Sequence, residues 1–288
     1  MNKNKISLVF FGVGPVAAKS LDSLLKKFEI ELVVTKPAAS RHKQLAPVEQ
    51  IAAKHGLKVI YASHSQDIAK SLTKFKPDSL VGLVIDFGLI IPRQTIDYFS
   101  HGIINSHFSL LPRWRGADPI TYSILHGDKK TGVSLMNIVP ELDAGPLIAQ
   151  QSMIISKNMD GLELTDRLIG LSNRMLAESI PKYLAGKISA QPQAKEGITY
   201  SEKISKNDGV IDWRQPAAEI EREIRAYAGW PKSRTKLGNI ELIVLDAEIL
   251  TLKGEAGRFK IEDSSLIVFC GAGALSLQEV QPAGKKPM

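Results

Sequence analysis

The chain has 288 residues, 44% of them hydrophobic and 23% charged, and a formal net charge of +7. That composition excludes a disordered or fibrous chain, and the length allows two domains. Cys270 is the only cysteine, which excludes an internal disulfide and fits a reducing compartment. The apolar run Ile6–Phe11 is too short for the core of a signal peptide. No stretch approaches the roughly 18 apolar residues of a membrane span. A cytoplasmic location with no membrane attachment is expected.

Taken in chain order, the pattern predicts strands at Ile6–Gly12, Glu31–Thr35, Lys58–Ala62, Leu80–Ile85 and Ile103–Phe108. Helices are expected at Ala17–Phe28, Pro47–His55, Gln66–Phe75, Pro92–Phe99 and Ala117–His126. This alternation implies an α/β fold with a Rossmann-like, doubly wound, mostly parallel sheet. Gly12-Val13-Gly14-Pro15 sits between the first strand and helix but is no dinucleotide fingerprint. The third glycine position is Ala17, and no acid ends the second strand. A tight turn explains it better. Val133–Val139 and Leu147–Ile155 read as two edge strands, and Leu162–Leu184 as a long helix. From Ile188 to Ser205 the pattern dissolves into polar residues and reads as a linker. A helix at Ala217–Ala228 and short strands at Ser233–Lys236, Ile240–Leu245, Arg258–Ile261, Leu266–Phe269 and Leu275–Val280 suggest a small β-barrel. The expected organisation is a domain over 1–187, a linker over 188–205 and a barrel domain over 206–288.

Residues 1–187 hold 23 Lys+Arg against 16 Asp+Glu, whereas residues 206–288 hold 12 of each. The whole excess therefore lies on the first part. It is either a face for a polyanion such as RNA or a solvated surface. The six histidines show no ligand spacing and have no cysteine partner, so no metal site is expected. Cys270 follows Leu266–Phe269 and reads as a buried strand residue.

Asn105 and His107 depart from this pattern. Residues i and i+2 of a strand share a face, so an amide and an imidazole aim at one point. They do so at the C-terminal end of a strand, where open α/β sheets place ligands. The Pro140–Pro146 loop adds Asp143, either a turn residue or a group that orients His107 or takes a proton. No nucleophile elbow or P-loop is present. The chemistry that remains is direct attack on a carbonyl, with Asn and His stabilising the oxyanion.

Asn105-x-His107, the run Ser109–Gly116 and Asp143 in Leu142–Gly145 resemble the formyltransferases that use 10-formyltetrahydrofolate. Ile211-Asp212-Trp213, the helix running into Trp230-Pro231, and Gln281–Lys286 are similar to the methionyl-tRNA formyltransferases among them. The resemblance spans almost the whole chain. It implies a Rossmann-like catalytic domain, a C-terminal barrel resembling an OB fold, and formyl transfer to the α-amine of methionine on initiator methionyl-tRNA. By it, Asn105, His107 and Asp143 are the catalytic trio, with Asn105 and His107 donating to the oxyanion. Ser109, Leu110, Leu111 and Pro112 bind the folate, with Phe87, Gly88 and Leu89 beside the pterin. Arg41 and Lys43 touch the tRNA acceptor stem. The folate is a co-substrate, and a monomer is expected. The alternatives are a folate-dependent enzyme that formylates an amino sugar and a non-catalytic tRNA-binding relative.

Overall fold

The computed structural model describes residues 5–37 and 45–288. The chain forms two compact units. Met1–Gly116, Gly132–Ser152 and Arg167–Tyr200 make the first; Ala117–Thr131, Met153–Asp166 and Ser201–Met288 make the second. The elements of the first half are β1 (Ser7–Phe11), α1 (Pro15–Leu24), β2 (Glu29–Thr35), α2 (Pro47–Lys54), β3 (Val59–Tyr61), α3 (Ser65–Phe75), β4 (Gly82–Val84), α4 (Arg93–Ile96) and β5 (Ile103–His107). There follow β6 (Arg115–Gly116), α5 (Pro119–Leu125), β7 (Lys130–Asn137), β8 (Leu147–Ile154), α6 (Gly161–Leu184) and β9 (Tyr200–Ser201).

The main sheet has the order β3-β2-β1-β4-β5-β7-β8. Its first five strands are parallel, and β7 runs antiparallel to β5. The expected alternation is therefore present. Of the two strands expected at an edge, only β8 is one. β7 lies inside the sheet between β5 and β8, and its residues from Thr131 to Met136 are all buried. Its polar side chains find partners there: Ser134 Oγ donates to Ser109 O at 2.7 Å, and Thr131 Oγ1 accepts from Ser123 Oγ at 3.2 Å.

Strands buried on both faces are apolar throughout, and Val9, Phe11, Leu32, Val34 and Ile103 join Ile68 and Leu72 of α3 in one core cluster. α1 begins two residues earlier than expected, at Pro15. Proline is well placed in a first turn, where its missing N–H has no helical partner to lose. A Cβ on Gly12 would lie 2.6 Å from Ala17 Cβ and 2.9 Å from Ile85 O. The glycine is there for this close strand-to-helix turn.

In the second unit, α7 (Ala217–Ala226) precedes β10 (Ser233–Leu237), β11 (Ile240–Leu250), β12 (Phe259–Glu262), β13 (Ser265–Phe269) and β14 (Ala274–Pro282). These strands form an antiparallel sheet of order β10-β11-β14-β13-β12. Ile220 and Ile224 of α7 pack on Val244, Val268 and Leu275. β11 runs five residues past its expected end because Asp246 and Glu248 point outward while the ladder to β14 continues through a bulge. Cys270 is buried, and burial pushes its thiol up to about 11.

Burial, with Asp212 and Asp208 nearby, pushes the Glu223 carboxyl of α7 up to about 7, and its Oε1 has no hydrogen-bond partner. The folded state therefore holds a proton that the unfolded chain releases above its ordinary value of 4.5. This group favours folding below that value. The advantage is lost as pH rises through about 7. Glu223→Gln, which never ionises, is expected to raise Tm by several degrees at about pH 8.5 and by much less at about pH 5. Melting curves at the two pH values check this; an equal gain at both would assign the effect to packing.

Candidate active site

β5 delivers Asn105 and His107 to the carboxyl end of the sheet. Its register sets Asn105 beside Val84 of β4 and Met136 of β7, and His107 beside Ser134 of β7. The intervening Ser106 points the other way, where its hydroxyl meets that of Ser172 on α6 at 2.7 Å. The period of two thus keeps Asn105 and His107 on one face.

Asp143 reaches the same point from the turn between β7 and β8. Its φ of +46° is left-handed, a conformation Asp tolerates better than most residues. Asp143 Oδ1 accepts from Asn105 Nδ2 at 3.3 Å. Its Oδ2 accepts from the Gly116 N–H at 2.8 Å and lies 3.6 Å from His107 Nδ1. The structure brings the three sequence-predicted residues together. His107 and Asp143 are 6% and 12% exposed, so water screens their charges weakly.

The other ring nitrogen of His107 lies 2.7 Å from Trp114 O. A carbonyl only accepts, so Nε2 carries the proton and donates. At 3.6 Å, Nδ1 is an ion-pair neighbour of Asp143 rather than its hydrogen-bond partner. The neutral ring therefore presents a lone pair at Nδ1, as a base would, and the protonated ring gains a facing carboxylate. Trp114 is itself held: its N–H donates to Thr199 Oγ1 at 2.9 Å, and the Arg113 guanidinium stacks 4.1 Å over its ring.

The Ser109–Pro112 segment is anchored from two strands. Ser134 Oγ accepts from the Leu111 N–H at 3.1 Å, and Gln150 Nε2 donates to Leu111 O at 2.9 Å. Ser109 Oγ donates to Arg113 O at 2.6 Å. Leu111 is buried, whereas Leu110 and Pro112 are half-buried. Phe87, Gly88 and Leu89 follow β4, the strand paired with β5, so they leave the same end of the sheet. The Phe87 ring is buried against Phe11, edge to face at 5.7 Å. Half-buried Leu89 and the exposed backbone of Gly88, in left-handed conformation, remain accessible. Arg41 and Lys43 lie outside the described residues. Among the described residues no cluster of His, Cys, Asp and Glu suits a metal, and no helix is long and apolar enough to cross a membrane.

Sequence reading missed Gln193, which lies in the presumed linker. Its side chain bonds to the carbonyls of Asp143 and Gly145 and to Arg115. The neighbouring Gln191 exchanges two backbone hydrogen bonds with Leu147, of 2.7 and 2.8 Å. Polar composition hides both contacts, and only the turn they meet could have pointed to them. Gly145 has a local reason: a Cβ there would sit 1.7 Å from Asn137 O. Gly145→Ala must push the Asp143 turn off β7. It is expected to reduce kcat about tenfold or more, beyond any loss of folded protein measured by melting.

Residues 5–180 match the formyl transferase family model and residues 203–288 its C-terminal domain model. A methionyl-tRNA formyltransferase of Methylococcus capsulatus is 37% identical over 98% of this chain and 94% of its own. The chain belongs to the methionyl-tRNA formyltransferase family. A second such relative, from Pseudomonas paraeruginosa, is 36% identical over 98% of this chain and 93% of its own. An N-formyltransferase of Helicobacter canadensis, solved with folinic acid and dTDP-3-aminofucose, superposes with a TM-score of 0.71 at 17% identity. It covers 94% of this chain and 99% of that one. At that identity the likeness is one of fold. The second match makes the C-terminal sheet part of a formyl transferase C-terminal domain rather than an unrelated appendage.

Proposed function

We propose that this chain transfers the formyl group of 10-formyltetrahydrofolate to the α-amino group of methionine on initiator methionyl-tRNA, in the cytoplasm and as a monomer. The observation that carries the reading is the convergence of Asn105, His107 and Asp143 in a chain similar over 98% of its length to methionyl-tRNA formyltransferases. The formyl donor fits the carboxyl end of β4 and β5. Leu89 and Leu110 offer apolar surface there for a flat ring, beside the exposed Gly88, whose carbonyl accepts from Lys36 Nζ at 2.9 Å. The excess positive charge of the first 187 residues suits a polyanionic acceptor, with Arg41 and Lys43 as contacts to its acceptor stem.

In this mechanism the amine nitrogen adds to the formyl carbon. Asn105 Nδ2 donates to the oxygen that gains charge. His107 accepts the amine proton at Nδ1 and becomes a cation balanced by Asp143. The bond from carbon to the donor nitrogen then breaks, and that nitrogen takes a proton from His107. His107 Nε2 stays on Trp114 O throughout, so Nδ1 is its working atom and Asn105 the principal oxyanion donor. The deciding experiment mixes the protein with 10-formyltetrahydrofolate and charged initiator tRNA and looks for N-formylmethionine. Turnover of a nucleotide-linked amino sugar instead would reassign the acceptor. Tight tRNA binding with no formylation of either acceptor would leave only a binding protein.

A further inference from the structure

We infer that Gln193 is a positioning residue for the reaction, holding the Asp143 turn from the opposite side to the reacting groups. This rests on the proposed formyl transfer. The amide of Gln193 is fully used. Its Nε2 donates to Asp143 O at 2.7 Å and to Gly145 O at 2.9 Å. Its Oε1 accepts from Arg115 Nη2 at 2.8 Å and from Nε at 3.3 Å. Arg115 is only 9% exposed, so its charge depends on such partners.

These bonds close a circuit. Arg115 directly precedes Gly116, whose N–H holds Asp143 Oδ2. Gln193 ties Arg115 to the Asp143 carbonyl. The left-handed backbone of Asp143 is thereby fixed at both ends, by its carboxylate and by its carbonyl. Rotation of that peptide would swing the carboxylate away from His107 Nδ1 and Asn105 Nδ2. Gln193 is the side chain that bridges the Asp143 and Gly145 carbonyls. Gln193 bonds to the backbone carbonyl of Asp143 and not to its carboxylate, so it acts through the turn.

Gln193→Glu separates the two halves of the circuit. The carboxylate keeps Arg115, but it can donate to neither carbonyl and repels both. Expected is a loss of kcat of about tenfold or more, beyond any loss of folded protein measured by melting, with KM for the formyl donor and for tRNA within about twofold. Gln193→Met removes both halves at nearly the same length and serves if the first variant does not fold. A second readout needs no turnover: the 15N signals of the His107 ring, read across pH, move in either folded variant if the Asp143 carboxylate has shifted. Native kcat together with native His107 signals overturns the inference. So does a kcat loss that merely follows the folded fraction while the ring signals stay in place. If the native protein forms no N-formylmethionine, the functional reading fails, and the ring signals still decide whether Gln193 positions Asp143.

Discussion

Asn105→Ala is expected to lower kcat by about 10²–10³ while the fold and the KM for the formyl donor survive. The amide makes one hydrogen bond, at 3.3 Å to Asp143 Oδ1, and its second N–H remains for the oxygen that gains charge. That N–H matters most when the carbonyl becomes an oxyanion, so its loss falls on the transition state. Folding loses one long, half-buried hydrogen bond, worth about 1 kcal/mol. His107 cannot substitute at no cost, because Nε2 is committed to Trp114 O and Nδ1 must handle the proton. Single-turnover formyl transfer at saturating donor, beside a melting curve, makes the comparison. Turnover within about fivefold of native would remove Asn105 from the oxyanion site and leave His107 Nδ1–H as the donor.

Much of this was legible in the sequence. β5 carries two polar side chains at i and i+2 inside an apolar run, and a period of two cannot scatter them. The strand–helix rhythm likewise located most elements within a few residues. What stayed hidden was set by partners far along the chain. β7 reads as an edge strand in the sequence, and nothing local shows that the hydroxyls of Thr131 and Ser134 find buried partners at Ser123 and Ser109. The Pro140–Pro146 turn announced Asp143 but not its left-handed backbone. The run 188–205 read as a linker because Gln, Lys and Glu have no hydrophobic period. A glutamine that satisfies two carbonyls and a guanidinium leaves no such period to read.

The state of His107 shows the same division. Sequence reading assigned the imidazole to the oxyanion. The structure adds Trp114 O, seven residues on, and with it a direction to the ring. A strand cannot reveal this, since it depends on the left-handed Trp114 peptide turning its carbonyl back onto β5. The identity of the acceptor lies at yet another level. Full-length similarity to methionyl-tRNA formyltransferases separates this chain from structural neighbours whose likeness is one of fold. In the C-terminal motifs, Ile211 is buried in the α7 core and Trp213 Nε1 donates to Thr235 Oγ1 at 2.8 Å. Those residues build the second unit, whereas Trp230 is 60% exposed.

Asp143→Asn is expected to cost about 10²–10⁴ in kcat, as much as or more than Asn105→Ala, although the side chain changes by one atom. The carboxylate serves three groups: the Gly116 N–H at 2.8 Å, Asn105 Nδ2 at 3.3 Å and His107 Nδ1 at 3.6 Å. An asparagine has one oxygen, so one of its two orientations must be chosen, and both fail. With its oxygen toward Gly116, the new NH₂ meets Asn105 Nδ2, donor against donor, and turns the oxyanion donor aside. With its NH₂ toward Gly116, two donors again oppose each other, and the group facing His107 Nδ1 becomes a donor instead of a carboxylate oxygen. Either way the negative charge that balances the imidazolium is gone. The pH dependence of single-turnover formylation distinguishes this from unfolding, because partial unfolding lowers the amplitude and leaves the shape of the profile intact. A folded variant within about fivefold of native kcat, with an unchanged profile, would reduce Asp143 to a turn residue.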